Sequence, residues 1–182
     1  MACDITAGRL EPCKDSVGGL KAVYFVNYSA AIASGATITA GEITGFNPLI
    51  SLYKFDLKGT NNSFDETNEN SRDNGTSFWT QTGTLVLKKQ DLTTQTQLKA
   101  LAYGRPLVVV EYYAKDANDK NIFRMAGFEN GCEVTVNTAS GAAMGDLNGY
   151  NITFTGTEVE PAHFIDPDII GDDTNTTVVP GT

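Results

Sequence analysis

Short apolar runs alternate with connections rich in Gly, Asn, Asp and Ser along most of this chain, and that rhythm predicts strands far more often than helices. Two runs carry large apolar groups at both phases of a two-residue period: 20–28 (LKAVYFVNY) and 107–113 (LVVVEYY). Such strands are covered on both faces, and the second is expected to be the most central. Residues 49–57, 84–88 and 122–128 read as further strands, the last following a hairpin turn at 116–120. Residues 132–136 alternate strictly, placing Cys132, Val134 and Val136 on one face and Glu133 and Thr135 on the other. Tyr150, Ile152 and Phe154 face inward in the same way. The small, Thr-rich stretch 30–45 predicts loops around one short strand.

One segment, 91–103, reads as a helix. Asp91 is placed to cap the first-turn amides, and Thr94, Leu98, Leu101 and Ala102 share a face. Gly104 is expected in the left-handed closing conformation, and Pro106 blocks continuation. The helix carries a single apolar stripe and needs a sheet to pack on. The fold class is therefore mainly β, a β-sandwich or open barrel with one packed α-helix.

Two stretches break the rhythm. Residues 59–76 (GTNNSFDETNENSRDNGT) hold one large apolar group, Phe64, and predict a long polar loop that acts as an interaction arm. Deleting 61–74 is then expected to leave the fold intact. Residues 166–182 predict an acidic tail, ordered only where a neighbour holds it, beyond a single domain at 1–165.

Charge sharpens the picture. The net charge is −9, and Arg124 is the last basic residue, so the nine acids beyond it carry the whole imbalance. Phosphate binders neutralise their ligand with Lys and Arg, so a sequence-reading nucleic-acid binder is not expected. Neither a membrane-length apolar run nor a secretory leader pattern is visible, and folding in a cytoplasm is expected. Of three cysteines, Cys132 reads as a buried thiol, and a Cys3–Cys13 bridge is not expected in a reducing cell.

Candidate chemistry is sparse. The single histidine, His163, has no nucleophile elbow to serve, and no cluster has zinc-ligand spacing. The glycine-rich 141–149 precedes a strand and lacks the Lys of a phosphate loop. Residues 166–173 imitate a calcium loop, but Ile170 stands at the third alternate position and no closing Glu follows. No cofactor or metal is expected, and no enzymatic activity. Trp79, Tyr112 and Tyr113 are the aromatics a sugar platform would need, with the two tyrosines on opposite faces.

Two segments carry a resemblance. Residues 13–21 (CKDSVGGLK), followed by an aromatic strand, resemble structural proteins of tailed bacteriophages. Residues 145–156 (GDLNGYNITFTG), followed by Glu160-Pro161-Ala162, resemble the final hairpin of phage tail tube proteins, and the order of elements is similar to that family. The resemblance implies hexameric rings whose sheets join into one inner barrel, stacked into a tube that conducts DNA without binding it specifically. Partners would be further copies and other tail or head–tail proteins, in a virion tail assembled in the host cytoplasm. On this reading Phe64, Asp65, Glu66, Glu69 and Arg72 belong to the self-assembly arm, and Glu133 and Thr135 face the lumen. Competing readings are another virion protein (capsid decoration or head–tail joining), a carbohydrate-binding or adhesive β-sandwich, and a hydrolase using paired carboxylates.

Overall fold

The structure, a computed structural model, describes residues 4, 5, 7–11, 13–59 and 61–181. Cys3, and with it the question of a Cys3–Cys13 bridge, lies outside the described residues. The elements, in chain order, are β1 (Leu20–Val26), α1 (Ala30–Gly35), β2 (Ala36–Thr39), β3 (Glu42–Phe46), β4 (Ile50–Asp56), β5 (Ser63–Ser71) and β6 (Thr76–Lys88). There follow α2 (Leu92–Tyr103), β7 (Leu107–Lys115), β8 (Asn121–Ala126), β9 (Cys132–Ala139), β10 (Gly149–Glu158), β11 (His163–Ile165), a 3-10 turn at Pro167–Ile169, and β12 (Thr176–Val179).

Two sheets result. A mixed sheet of eight strands runs β12-β4-β1-β7-β8-β11-β3-β2, and an antiparallel sheet of four runs β5-β6-β10-β9. The doubly apolar strands explain the layering. One phase of β1 and β7 (Val23, Phe25, Val108, Val110) meets Leu85, Val134, Ile152 and Phe154 of the four-stranded sheet, with Leu98 of α2 beside them. The other phase (Ala22, Tyr24, Val26, Leu107, Val109) gathers Ile43, Phe46, Leu52, Phe123, Met125 and Ile165, together with Ile32 of α1. The eight-stranded sheet curls to allow this. Asn175 bridges its ends, accepting the Phe46 N–H at 3.0 Å through its side chain and the Ile50 N–H at 3.1 Å through its carbonyl. The central position expected for 107–113 is found, with β7 between β1 and β8.

Helix α2 begins where its sequence predicts. The Asp91 carboxylate accepts the Thr94 N–H at 2.7 Å, and Leu98 is buried while Thr94 and Leu101 are half-buried. Ala102 is exposed, so the buried stripe is narrower than the periodicity suggests. Gly104 departs from expectation: its backbone is extended (φ −92°, ψ −175°) rather than left-handed, although its N–H still reaches the Ala100 carbonyl.

Three further expectations are corrected. Residues 63–71, read as loop, form β5 and pair antiparallel with 76–84 of β6. The tip of this hairpin passes the end of β10 by three residues of β6, because Glu158 pairs with Trp79 and β6 begins at Thr76. Removing 61–74 would therefore strip an edge strand from the sheet. The acidic segment after 165 is also structured within the chain. Ile169 and Thr176 are buried, and β12 pairs in parallel with 50–53 of β4. Finally, α1 adds a second helix where one was expected, capped by Ser29, whose side chain accepts the Ala31 N–H.

A candidate self-assembly face on the four-stranded sheet

The register of the four-stranded sheet sorts its residues into two contrasting faces. Phe64, Gly83, Phe154 and Val134 form one inward row, facing the eight-stranded sheet. Phe64 and Phe154 stack across Gly83 with ring centroids 6.1 Å apart and planes 19° from parallel. The bare glycine leaves room for both rings, an aromatic pair covering a cross-strand glycine.

The outward rows are different. They read Ser63–Thr84–Thr153–Thr135, then Asp65–Thr82–Thr155–Glu133, then Thr67–Thr80–Thr157. Eight of these eleven positions are threonine, all exposed or half-buried. Beyond them stand Val86–Asn151–Asn137 on one side and Glu69–Phe78 on the other. None of these five rows contains Lys or Arg; Lys88 stands past them at the end of β6. β-Branched threonine suits an exposed pleated surface, and cross-strand threonine pairs add a few tenths of a kcal/mol each. With strands about 4.8 Å apart, the Asp65 and Glu133 columns lie roughly 14 Å from each other, framing an uncharged middle.

The residues singled out from sequence thus divide. Asp65, Glu69, Glu133 and Thr135 share this outward face, which sequence reasoning had not joined. Arg72 is exposed in the β5–β6 turn. Phe64 and Glu66 point the other way, into the chain's own body. The Glu66 carboxylate takes Arg124 Nη2 at 2.6 Å and Gln81 Nε2 at 3.3 Å, and also accepts the Ala162 N–H. Arg124 in turn donates to the Ala162 carbonyl at 2.8 Å and lies over the Phe164 ring. This knot fastens edge strand β5 to β8 and to the approach to β11. The signal for the outward face was the Thr-x-Thr-x-Thr spacing at 80–84 and 153–157.

The edges of the sheet are unequal. Among the described residues no strand pairs beyond β5. Beyond β9, the Cys132 N–H donates to the Pro106 carbonyl at 2.8 Å, Gln90 Nε2 reaches the Ala139 carbonyl at 3.0 Å, and α2 packs alongside.

Other polar groups are consumed by the fold. Buried Glu111 accepts Lys21 Nζ at 2.7 Å, Tyr24 OH at 2.7 Å and Asn121 Nδ2 at 2.6 Å. Burial first, and then this carboxylate, raise the Tyr24 pKa strongly, so the phenol stays a donor. His163 is buried edge-on to Phe128 at 5.0 Å. In the calcium-like stretch, Asp166 accepts the Asp168 N–H, and Asp172 accepts the N–H groups of Thr174, Asn175 and Thr176. The Asn175 side chain and these backbone donors pull the Asp172 pKa far down. Asp146 binds the Ala142 and Ala143 N–H groups, closing the glycine-rich β9–β10 hairpin. Trp79 is half-buried on the inward side, and Tyr112 is half-buried where Tyr113 is exposed. Among the described residues every buried side-chain nitrogen or oxygen has a partner, and no group of three or more His, Cys, Asp or Glu is placed to hold a metal.

Comparison with protein-family models, with curated proteins and with solved structures finds no match. The phage resemblance therefore rests on residues 13–21 and 145–156.

Cys132 supplies a test of the packing behind this face. Burial, reinforced by Glu158 and Glu133, pushes its thiol up to about 12. The unfolded thiol ionises near 9, so above that pH the unfolded chain releases a proton that the folded chain keeps. Stability contributed by the neutral thiol is present below pH 9 and declines as pH rises toward 12. In native protein at pH 8, Cys132 is expected to resist a thiol reagent while exposed Cys13 reacts, as read by peptide mapping.

Proposed function

We propose that the protein is a structural subunit of a phage tail tube, and that the threonine face of its four-stranded sheet is the wall of the channel. The observation that carries this reading is the composition of that face: threonine rows flanked by carboxylates, without Lys or Arg across five rows. Duplex phosphates are held by cations, whose ion release drives binding. A hydroxyl and carboxylate wall offers no such anchor, so DNA slides past it. On this reading Glu133 and Thr135 face the lumen, as does Asp65.

The free edge of β5 supplies the joint. An unpaired strand edge is a hazard in a monomer and a connector in an assembly. The β5 edge of one copy meets the stretch of the next copy's β9 edge between Cys132 and Ala139, the two ends that Pro106 and Gln90 hold, and so continues the sheet around a ring. The resemblance implies six copies, hence a barrel of 24 strands. At about 4.8 Å spacing and about 40° tilt, its backbone diameter is about 48 Å, wide enough for a duplex. The rings stack into the tube in the virion tail after assembly in the host cytoplasm, and no catalysis or cofactor is involved.

Light scattering on the purified protein over a concentration series tests the reading. Mass is expected to rise in six-fold steps and then grow with stacking. A single monomer mass at every concentration would overturn the proposal.

A further inference from the structure

A second surface stands apart from the threonine face. Between α2 and β4 runs a groove formed by two adjoining clefts of about 390 and 550 Å3 that share Tyr53, Phe55 and Gln97. Its floor is aromatic: Phe55 meets Phe25 edge-on at 5.2 Å, and Tyr53 is 39% exposed. Leu101 and Ala100 of α2 form the opposing wall. Lys54, Lys88, Lys89 and Arg105 line it against two acids, Asp56 and Asp91, a basic excess on a chain of net charge −9.

The same molecule presents an uncovered apolar segment. Every described residue from Asp4 to Gly19 is exposed, and Ile5 and Leu10 are 95% and 91% accessible. Among the described residues no regular structure forms there, and β1 starts at Leu20. A Cβ placed at Gly8 or Gly18 would meet nothing within 4 Å, so the chain stands off the body at these two positions, while Gly19 already lies against Tyr113. Were they fully extended, the ten residues from Leu10 to Gly19 would reach about 33 Å, against a radius of gyration of roughly 16 Å for a chain this long. None of the described residues of this segment lines the chain's own groove, so its apolar groups are open to a neighbour. Its acids, Asp4, Glu11 and Asp15, outnumber Arg9 and Lys14, which suits the basic lining of the groove.

We infer that the segment before β1 is an exchange arm, and that the α2–β4 groove is its receptor on a second copy of this chain. Leu10 seats on the aromatic floor against Tyr53 and Phe55, and Glu11 meets the lysines. The arm links copies whatever their ring geometry, so the inference needs only that copies meet and not that they form a tube.

Photocrosslinking of the full chain tests it. A chain with Leu10→p-benzoylphenylalanine is mixed with an equal amount of heavy-nitrogen-labelled unsubstituted chain, irradiated, digested and read by mass spectrometry. Position 10 is exposed, so the substitution leaves the fold alone. The expected adduct joins the light arm to heavy peptides containing Tyr53, Phe55 or Gln97. Ala100→Arg in the heavy chain, at an exposed helix position on the wall, should lower that adduct about tenfold, the effect of one leucine losing its burial. Adducts confined to light groove peptides, adducts to other surfaces, or no adduct would each overturn the inference. If the chain forms rings yet gives no groove adduct, the arm is refuted and the tube reading stands.

Discussion

Phe154→Ala is expected to lower folding stability by about 4 kcal/mol, which for a chain of this size moves the melting temperature down by about 10 °C. The ring is fully buried where the two sheets meet, and it stacks on Phe64 across Gly83. Truncation removes its own burial and uncovers the ring that holds edge strand β5 in place. Gly83→Ala approaches the same site from the other side. Its Cβ would fall 2.2 Å from the Phe154 ring, so the ring must move, at a cost of about 2 kcal/mol. The double variant should lose less than the two single losses combined, by about 1 kcal/mol, because the alanine methyl then enters the space the ring has left. Denaturant melts read all three. Strict additivity would mean that Gly83 and Phe154 do not share this space.

The second large effect is expected at Arg124. Arg124→Ala leaves the Glu66 carboxylate, 9% exposed, without its cation, and should cost about 3 kcal/mol. Glu66→Gln in the same chain should recover part of that loss, because the uncompensated charge is gone while an acceptor for the Ala162 N–H remains. A surface ion pair would behave otherwise, costing under about 1 kcal/mol and fading with salt. Thermal melts at low and high salt separate the two. A small, salt-sensitive loss would show that β5 is not fastened through this pair.

Why the sequence revealed some elements and hid others is a matter of what each strand faces. β1 and β7 were legible because both of their faces are buried, and β9 and β10 because their inward positions are apolar. The Asp91 cap was legible because capping is local chemistry. β5 was hidden because its inward positions beyond Phe64 are Glu66 and Asn68, whose partners are Arg124, Gln81 and the Phe78 carbonyl rather than a hydrophobic core. The first half of β6 was hidden likewise, with Gln81 buried against the Gly127 N–H. β12 is four residues long after an Asp-rich turn, and its register comes from β4, far away in sequence. The threonine face required a register as well. Its runs are visible in one dimension, but only the pairing of four strands aligns them into rows.

Electron cryomicroscopy of the concentrated protein tests the luminal placement of the threonine face most directly. Hollow rings or tubes are expected in which the four-stranded sheets join edge to edge, with Thr82, Thr153 and Thr155 turned toward the axis. A monomer at high concentration, or an assembly with those threonines on its outer surface, would contradict it.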